Sequence, residues 1–208
     1  MKKLVLFSLV LCAAWSYGQS PRYTEAMKKN LDLMDSAKTT ADFQNVANAF
    51  DRIGEAEKNQ WLPFYYAGLA LTRIGWMDEK VDKDANAEKV KAECDKAEAI
   101  EKNAEILTIR NMAATQEMLV DPQTRWQNYG MEASADLQKA IQLDPNNPRI
   151  YYLQGMSIFN TPEQFGGGKD KAKPIFEKSI ELYKKEQSKP LYPNWGRDQA
   201  EKMLAQCQ

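Results

Sequence analysis

Apolar residues recur along the chain at the spacing of one helical face. Four segments each carry a triplet of apolar or small residues spaced four and three positions apart, a spacing that places them on one face of an α-helix. The triplets are Val46, Phe50 and Ile53; Val90, Cys94 and Ala97; Ala133, Leu137 and Ala140; and Ala172, Phe176 and Ser179. Each triplet predicts an amphipathic helix, so the chain is predicted to repeat one helical unit.

A second regularity links neighbouring helices. The last residue of each of the first three triplets lies 15 positions before a small or apolar residue, which is Gly68, Met112 or Gly155. At the two glycines the missing side chain would let neighbouring helices approach closely. The constant step predicts that each triplet helix leads directly into the first helix of the next pair.

Turn signals separate the predicted helices. At one joint Pro145 ends a helix because it has no N–H to donate, Asn147 can cap the next helix, and Pro148 suits its first turn. We predict nine helices, at Pro21–Ser36, Ala41–Glu57, Trp61–Ile74, Ala85–Glu101, Asn103–Leu119, Gln123–Gln142, Pro148–Phe159, Lys169–Lys185 and Asn194–Gln206. The last of them would cover the exposed core face of the final pair.

The fourth helical pair carries the most specific motif. A large residue, a glycine and an Ala-aromatic-small stripe follow a Leu-Asp-Pro-Asn-Asn turn, at Leu143–Asn147, Tyr151, Gly155, Ala172, Phe176 and Ser179. In this pattern the chain resembles the tetratricopeptide repeat family, in which two antiparallel helices form a unit of about 34 residues. The resemblance implies an all-α fold, a right-handed α-solenoid of about four helical hairpins with a C-terminal capping helix.

The repeats of this chain are longer than the unit of that family. Successive triplets recur at 44, 43 and 39 residues, while the step of 15 residues stays constant. The extra residues therefore fall between the two helices of each pair and would decorate one edge of the solenoid, where insertions often form the working face. The contacts predicted on this edge are Trp76, Trp126, Tyr129 and Phe165.

The resemblance also implies a concave groove lined by the first helix of each pair. The corresponding positions are Tyr65, Leu69, Arg73, Ile109, Gln116, Arg149, Tyr152, Met156 and Asn160. Aromatic, Met and Arg side chains are types that anchor interfaces. These positions therefore predict a peptide-binding groove, with packing in the core and at its rim as the alternative.

The first 18 residues form a separate segment, Met1–Gly18. Lys2 and Lys3 precede an apolar run at Leu4–Ala14, and small residues follow where a signal peptidase cleaves. The run is too short for a comfortable permanent membrane span. We predict a signal peptide cleaved before Gln19, a mature repeat domain at residues 19–208 with no membrane span, and a periplasmic or secreted location.

Charge and residue usage narrow the function. The whole chain has a net charge of −1, and loss of the two N-terminal lysines leaves −3, which does not favour nucleic acid as a partner. The chain has no histidine, so it lacks Ser-His-Asp and Cys-His nucleophile systems and His-containing zinc sites. Glu117 and Asp121 could form an acid–base pair, but nothing distinguishes them from helix-surface charge.

Three other features admit a chemical and a structural interpretation. Asp82, Asp84, Asn86 and Glu93 match calcium-loop positions, but Ala87 stands where the turn requires glycine, so a helix cap is favoured. Gly166–Gly168 could bind an anion before the helix at Lys169, but a flexible joint that lets Phe165 fold back on the core is favoured. Cys94 and Cys207 could form a disulfide, but a buried thiol is favoured for Cys94.

Together these features predict a non-enzymatic, exported scaffold that needs no cofactor or metal. Its predicted partner is a peptide or protein segment held in the concave groove. The alternative is a structural subunit of a cell-envelope assembly that docks through the inserted loops between paired helices.

Overall fold

The computed structural model describes residues 20–208, and the predicted signal peptide and its cleavage site lie outside this range. In this part of the chain all regular structure is helical, which confirms the all-α class. The helices are α1 (Pro21–Ser36), α2 (Thr40–Glu57), α3 (Leu62–Met77), α4 (Lys83–Ile100), α5 (Ala104–Met118), α6 (Pro122–Arg125), α7 (Met131–Leu143), α8 (Pro148–Asn160), α9 (Lys169–Lys185) and α10 (Arg197–Ala205).

The helix ends follow local side-chain signals. The Asn147 side chain accepts a hydrogen bond from the Arg149 N–H at 2.9 Å, and this confirms the predicted cap at the joint between α7 and α8. Asp82 likewise accepts from the Ala85 N–H at 3.0 Å and caps α4. Because α4 begins at Lys83, the candidate calcium-loop residues that follow Asp82 lie in a helix, as the cap interpretation predicts.

The helices pack in chain order, each against the next, except that α7 packs on α5 rather than on the short α6. In addition α3 contacts α5, α5 contacts α8, and α8 contacts α10. A Cβ atom at Gly155 would lie 2.5 Å from the ring of Phe176, so glycine is required for the close approach of α8 and α9. The predicted stripe residues Val90, Ala97 and Phe176 are fully buried, as expected for the core face.

The helix predicted at Gln123–Gln142 is interrupted. After the short α6, residues Trp126–Gly130 form a turn of π-helix before α7 begins. The wider turn places the Tyr129 ring beside two cations, with Lys91 Nζ 5.5 Å and the Arg125 guanidinium 5.7 Å from the ring centroid. Periodicity alone does not show such an insertion, because both flanking segments keep a helical pattern.

A segment without a helix follows α9, and we term residues 186–196 the C-terminal segment. It folds back over α3: the Tyr66 hydroxyl donates to the Leu191 carbonyl at 2.9 Å, and Trp195 Nε1 donates to the Tyr65 hydroxyl at 2.7 Å. The segment ends at Gly196, whose φ of 104° is in the left-handed region. The last predicted helix therefore begins at Arg197 rather than at Asn194.

Within residues 20–208 no helix combines the length and the apolar character required to cross a bilayer.

Candidate functional site

A cavity of about 910 Å³ lies between α1 and α2, and we term it the α1–α2 cavity. Its apolar lining consists of Tyr23, Ala26, Leu33, Ala37, Val46, Ala49, Ile53 and Ala56. Its polar and charged lining consists of Arg22, Lys29, Asn30, Ser36, Asp42, Asn45, Arg52 and Glu57. Sites for small molecules typically have volumes of about 300–1,000 Å³ and mainly apolar walls, so this cavity has the size of a ligand site.

Small side chains on both helices create the cavity. Ala26 on α1 and Ala49 and Ala56 on α2 contribute little volume, so the two helices leave space between them. The turn between the helices is fixed by a capping box, in which Asp42 accepts from the Thr39 N–H at 2.9 Å and the Thr39 side chain accepts from the Asp42 N–H at 3.1 Å. The capping box therefore fixes the backbone at the point where α2 begins.

The cavity has charged and neutral polar groups along its length. Asp42 has a lowered pKa because the Thr39 side chain and the backbone N–H groups of Lys38 and Thr39 donate to its carboxylate. The buried hydroxyl of Tyr23 has no hydrogen-bond partner among the described residues. Burial, and then the nearby Glu57 carboxylate, raise the pKa of Tyr23, so this phenol stays protonated.

Five of the nine predicted groove residues are buried. Tyr65, Leu69, Ile109, Gln116 and Arg149 are each no more than 3% exposed. They are covered because α3 and α5 lie between other helices and because the C-terminal segment folds over α3. In the described structure these five side chains are therefore not accessible to a peptide.

The buried polar members of this set form a network inside the molecule. The Arg149 Nε donates to Glu105 at 2.8 and 3.0 Å, and its guanidinium also pairs with Glu186 of the C-terminal segment. Asn147 Nδ2 and the Tyr65 hydroxyl donate to the same Glu105 carboxylate, at 2.7 and 3.3 Å. The contacts made by Arg149 and Tyr65 are thus structural, and they attach the C-terminal segment to α8 and α3.

The other four predicted groove residues are partly or fully exposed. Arg73, Tyr152 and Met156 are half-buried, and Asn160 is exposed at the end of α8. The Tyr152 ring packs edge-on against Trp195, with ring centroids 6.3 Å apart. Of the predicted groove positions, only these four on α3 and α8 are therefore accessible to solvent.

The predicted edge residues mostly reach solvent. Trp76 is 46% exposed, Trp126 is 52% exposed and Phe165 is 73% exposed, whereas Tyr129 is half-buried beside its two cations. The exposure of Phe165 shows that it does not fold back on the core, contrary to the interpretation of its loop as a flexible joint.

The glycine loop before α9 is an ordered turn. The Gly167 N–H donates to the Pro162 carbonyl at 3.2 Å, and the Gly168 N–H donates to the Ile158 carbonyl at 3.0 Å. These two N–H groups are therefore already used and do not point to an anion.

Cys94 and Cys207 are both buried free thiols, which confirms the interpretation of Cys94.

The α1–α2 cavity was not predicted from the sequence. Its lining follows helical spacing on α2, at Val46, Ala49, Ile53 and Ala56, and this mixture of small and aliphatic residues resembles an ordinary buried face. The signal in the sequence that could have revealed the cavity is the set of cations beside these residues, Arg22, Lys29 and Arg52. Charged residues beside a small-residue stripe indicate a face that remains open to solvent.

Comparison with known proteins identifies a relative. No family model matches the chain, and no curated protein matches it. A solved structure, the HusA haemophore from Porphyromonas gingivalis, is similar with a TM-score of 0.82 and 37% sequence identity, over 91% of this chain and 94% of that chain. Identity at this level over nearly the full length of both chains shows common family membership. The chain therefore belongs to the family of the HusA haemophore.

Proposed function

We propose that the protein is an exported haemophore that binds haem in the α1–α2 cavity without catalysing a reaction. The observation that carries this proposal is the 37% identity to a haemophore over nearly the whole chain. The predicted signal peptide at Met1–Gly18 supports export to the periplasm or the outside of the cell.

The cavity suits a flat apolar ring. Haem presents two broad apolar faces, and the cavity offers aliphatic walls on both helices, with Leu33 on α1 and Val46 and Ile53 on α2. Transfer of apolar surface out of water stabilises the complex in proportion to the area buried. A preformed cavity also reduces the ordering cost of binding.

Contacts with the ring, rather than a bond to iron, would supply most of the affinity. Haem iron is usually held by His, Cys, Met or Tyr. The chain has no histidine, and among the described lining residues Tyr23 alone is of these types. Its raised pKa disfavours the phenolate that would ligate ferric iron.

We also propose that the helices form a right-handed α-solenoid of tetratricopeptide type. The packing of the long helices on one another in chain order supports this arrangement, as do the contacts of α3 with α5 and of α5 with α8. In such an array the first hairpin has one uncovered side, and the α1–α2 cavity opens on this first hairpin.

The test is to fill the cavity. Ala49 lines it and is half-buried, so Ala49→Trp would place an indole where the porphyrin ring is proposed to lie. We expect at least a tenfold loss of haem affinity in an absorbance titration with haemin, with helical content unchanged by circular dichroism. The matched control is Ala92→Trp at an exposed site of α4, which should bind haemin as the unmodified protein does. If Ala49→Trp binds normally while Tyr152→Ala with Met156→Ala does not, the site lies on the concave surface instead.

A second candidate function retains the predicted protein partner. Trp76 near the end of α3, Trp126 in the π-helical turn and Phe165 before α9 are exposed, which favours docking to a protein through this edge. The remaining concave surface at Arg73, Tyr152 and Met156 could hold a short peptide segment. Capture of a protein partner that Trp126→Ala abolishes, with haemin binding unchanged, would support docking as a separate role.

A further inference from the structure

Three cations line the α1–α2 cavity, two on one wall and one on the other. Arg22 and Lys29 belong to α1, and Arg52 belongs to α2. Within residues 20–208 none of the three takes part in a salt bridge with N···O of 4.0 Å or less. Cations that line a cavity without an ion-pair partner can bind an anionic group of a ligand.

The cations occupy one half of the cavity. Arg22 and Lys29 are two helical turns apart, about 10 Å along α1 at a rise of about 1.5 Å per residue. Because α1 and α2 are antiparallel and joined by a three-residue turn, Arg52 on α2 lies opposite the interval between them. The end near the turn instead carries Ser36 and the ionised Asp42.

The charges therefore give the cavity a polarity. Glu57 also lies at the cationic end, so the three cations there exceed the acids by two. The acidic Asp42 at the turn end would repel a ligand carboxylate, whereas the cationic end would attract one. An apolar ligand with acidic groups on one side would consequently enter in one orientation.

We infer that Arg22, Lys29 and Arg52 bind the carboxylate groups of haem, and that these contacts orient the ring with its carboxylates towards the N-terminal end of α1. The inference rests on the proposed haem site in this cavity. A guanidinium donates two parallel hydrogen bonds to a carboxylate, which suits Arg22 and Arg52 to this role, while Lys29 acts as a point charge. Since all three side chains are exposed, water screens the contacts, and their combined effect should be about tenfold in affinity.

The experiment compares haemin with haemin dimethyl ester, which keeps the ring and the iron but has no carboxylate charge. Three proteins are titrated with both: the unmodified mature chain, the variant Arg22→Gln/Lys29→Gln/Arg52→Gln, and a control with the same change in charge. The control is Lys28→Gln/Lys89→Gln/Lys102→Gln, at exposed positions outside the cavity lining.

We expect the unmodified chain and the control to bind haemin about tenfold more tightly than its ester, and added salt to reduce this preference. The triple cavity variant should bind both compounds alike, with the affinity that the unmodified chain has for the ester. Equal affinity of the unmodified chain for the two compounds, or a preference that survives in the cavity variant, would overturn carboxylate recognition while leaving haem binding intact. Failure of the unmodified chain to bind either compound would overturn both the haem site and this inference.

Discussion

Asp136 is a buried acid with an incomplete set of partners. Its side chain is on α7 and the residue is 6% exposed, and its Oδ2 atom has no hydrogen-bond partner among the described residues. Burial raises the pKa of Asp136 to about 6, because the gain from the nearby Lys139 and Arg110 charges does not offset desolvation and the acids Glu132 and Glu98. The folded protein therefore binds a proton at Asp136 more tightly than the unfolded chain does.

This shift predicts a pH dependence of stability. The unfolded chain releases the Asp136 proton near pH 4 and the folded protein near pH 6, so this group lowers the free energy of unfolding as pH rises through that interval. The loss then persists above pH 6. Asp136→Asn removes the ionisation and should raise the free energy of unfolding by about 1 kcal/mol at pH 7, after allowance for partial screening by water. At pH 4 the variant should match the unmodified protein.

Urea denaturation at the two pH values measures the effect. Asp32→Asn on the exposed side of α1 is the control and should change stability little at either pH. A gain from Asp136→Asn of the same size at pH 4 and pH 7 would show that ionisation is not its cause.

At the scale of single elements, the C-terminal segment depends on contacts with distant parts of the chain. Glu186 at its start pairs with Arg149 of α8, and Trp195 near its end donates to Tyr65 of α3. The Tyr183 hydroxyl of α9 also donates to the Trp195 carbonyl at 3.0 Å. These contacts anchor a segment that forms no helix and has few backbone hydrogen bonds, such as the one from the Tyr192 N–H to the Lys189 carbonyl at 3.1 Å.

Glu186→Gln should loosen this segment. The change removes one carboxylate from a largely buried Arg149 and weakens a charge-assisted contact, with an expected cost of about 1–2 kcal/mol. Amide hydrogen exchange at residues 187–196 should become about tenfold faster, while exchange in α4 stays unchanged. The control Glu181→Gln breaks an exposed pair with Lys185 and should leave exchange in the segment unaltered. Equal effects of the two variants would contradict the anchoring role of Arg149.

The helices could be predicted from sequence because their signals are local. The stripe at Ala172, Phe176 and Ser179 and the caps at Asp82 and Asn147 act within one or two helical turns. The C-terminal segment could not be predicted in this way. The contact of Trp195 with Tyr65 joins residues 130 positions apart, and no local pattern records it.

The same distinction between local signals and long-range contacts explains which parts of the candidate site could be predicted. Resemblance to a repeat family placed Tyr65 and Arg149 on an open groove, but their exposure depends on whether another part of the chain covers them. The α1–α2 cavity is the opposite case, because residues typical of a packed face line an open space. Its alanines are compatible with close helix packing, and the space beside Ala49 exists because α1 does not fill it.

At the scale of the whole molecule, the proposed haem site and the last helix lie in different parts of the chain. The cavity is formed by α1 and α2, whereas α10 packs on α9 and α8. In the proposed stack of helical pairs each unit depends mainly on its neighbours, so a change in the last unit is expected to lower stability without altering a site in the first.

Displacing α10 tests this separation. Ala200 is fully buried beside Ile180 and Tyr183, so Ala200→Arg would force a charged side chain into the contact and should cost about 2–3 kcal/mol. The melting temperature should fall by several degrees. The affinity for haemin at about 25 °C should stay within about twofold of that of the unmodified protein. Ala205→Arg on the exposed side of the same helix is the control and should leave both quantities unchanged. A parallel loss of haemin affinity in Ala200→Arg would mean that the ends of the molecule are coupled, as in a closed bundle where every helix shares one core.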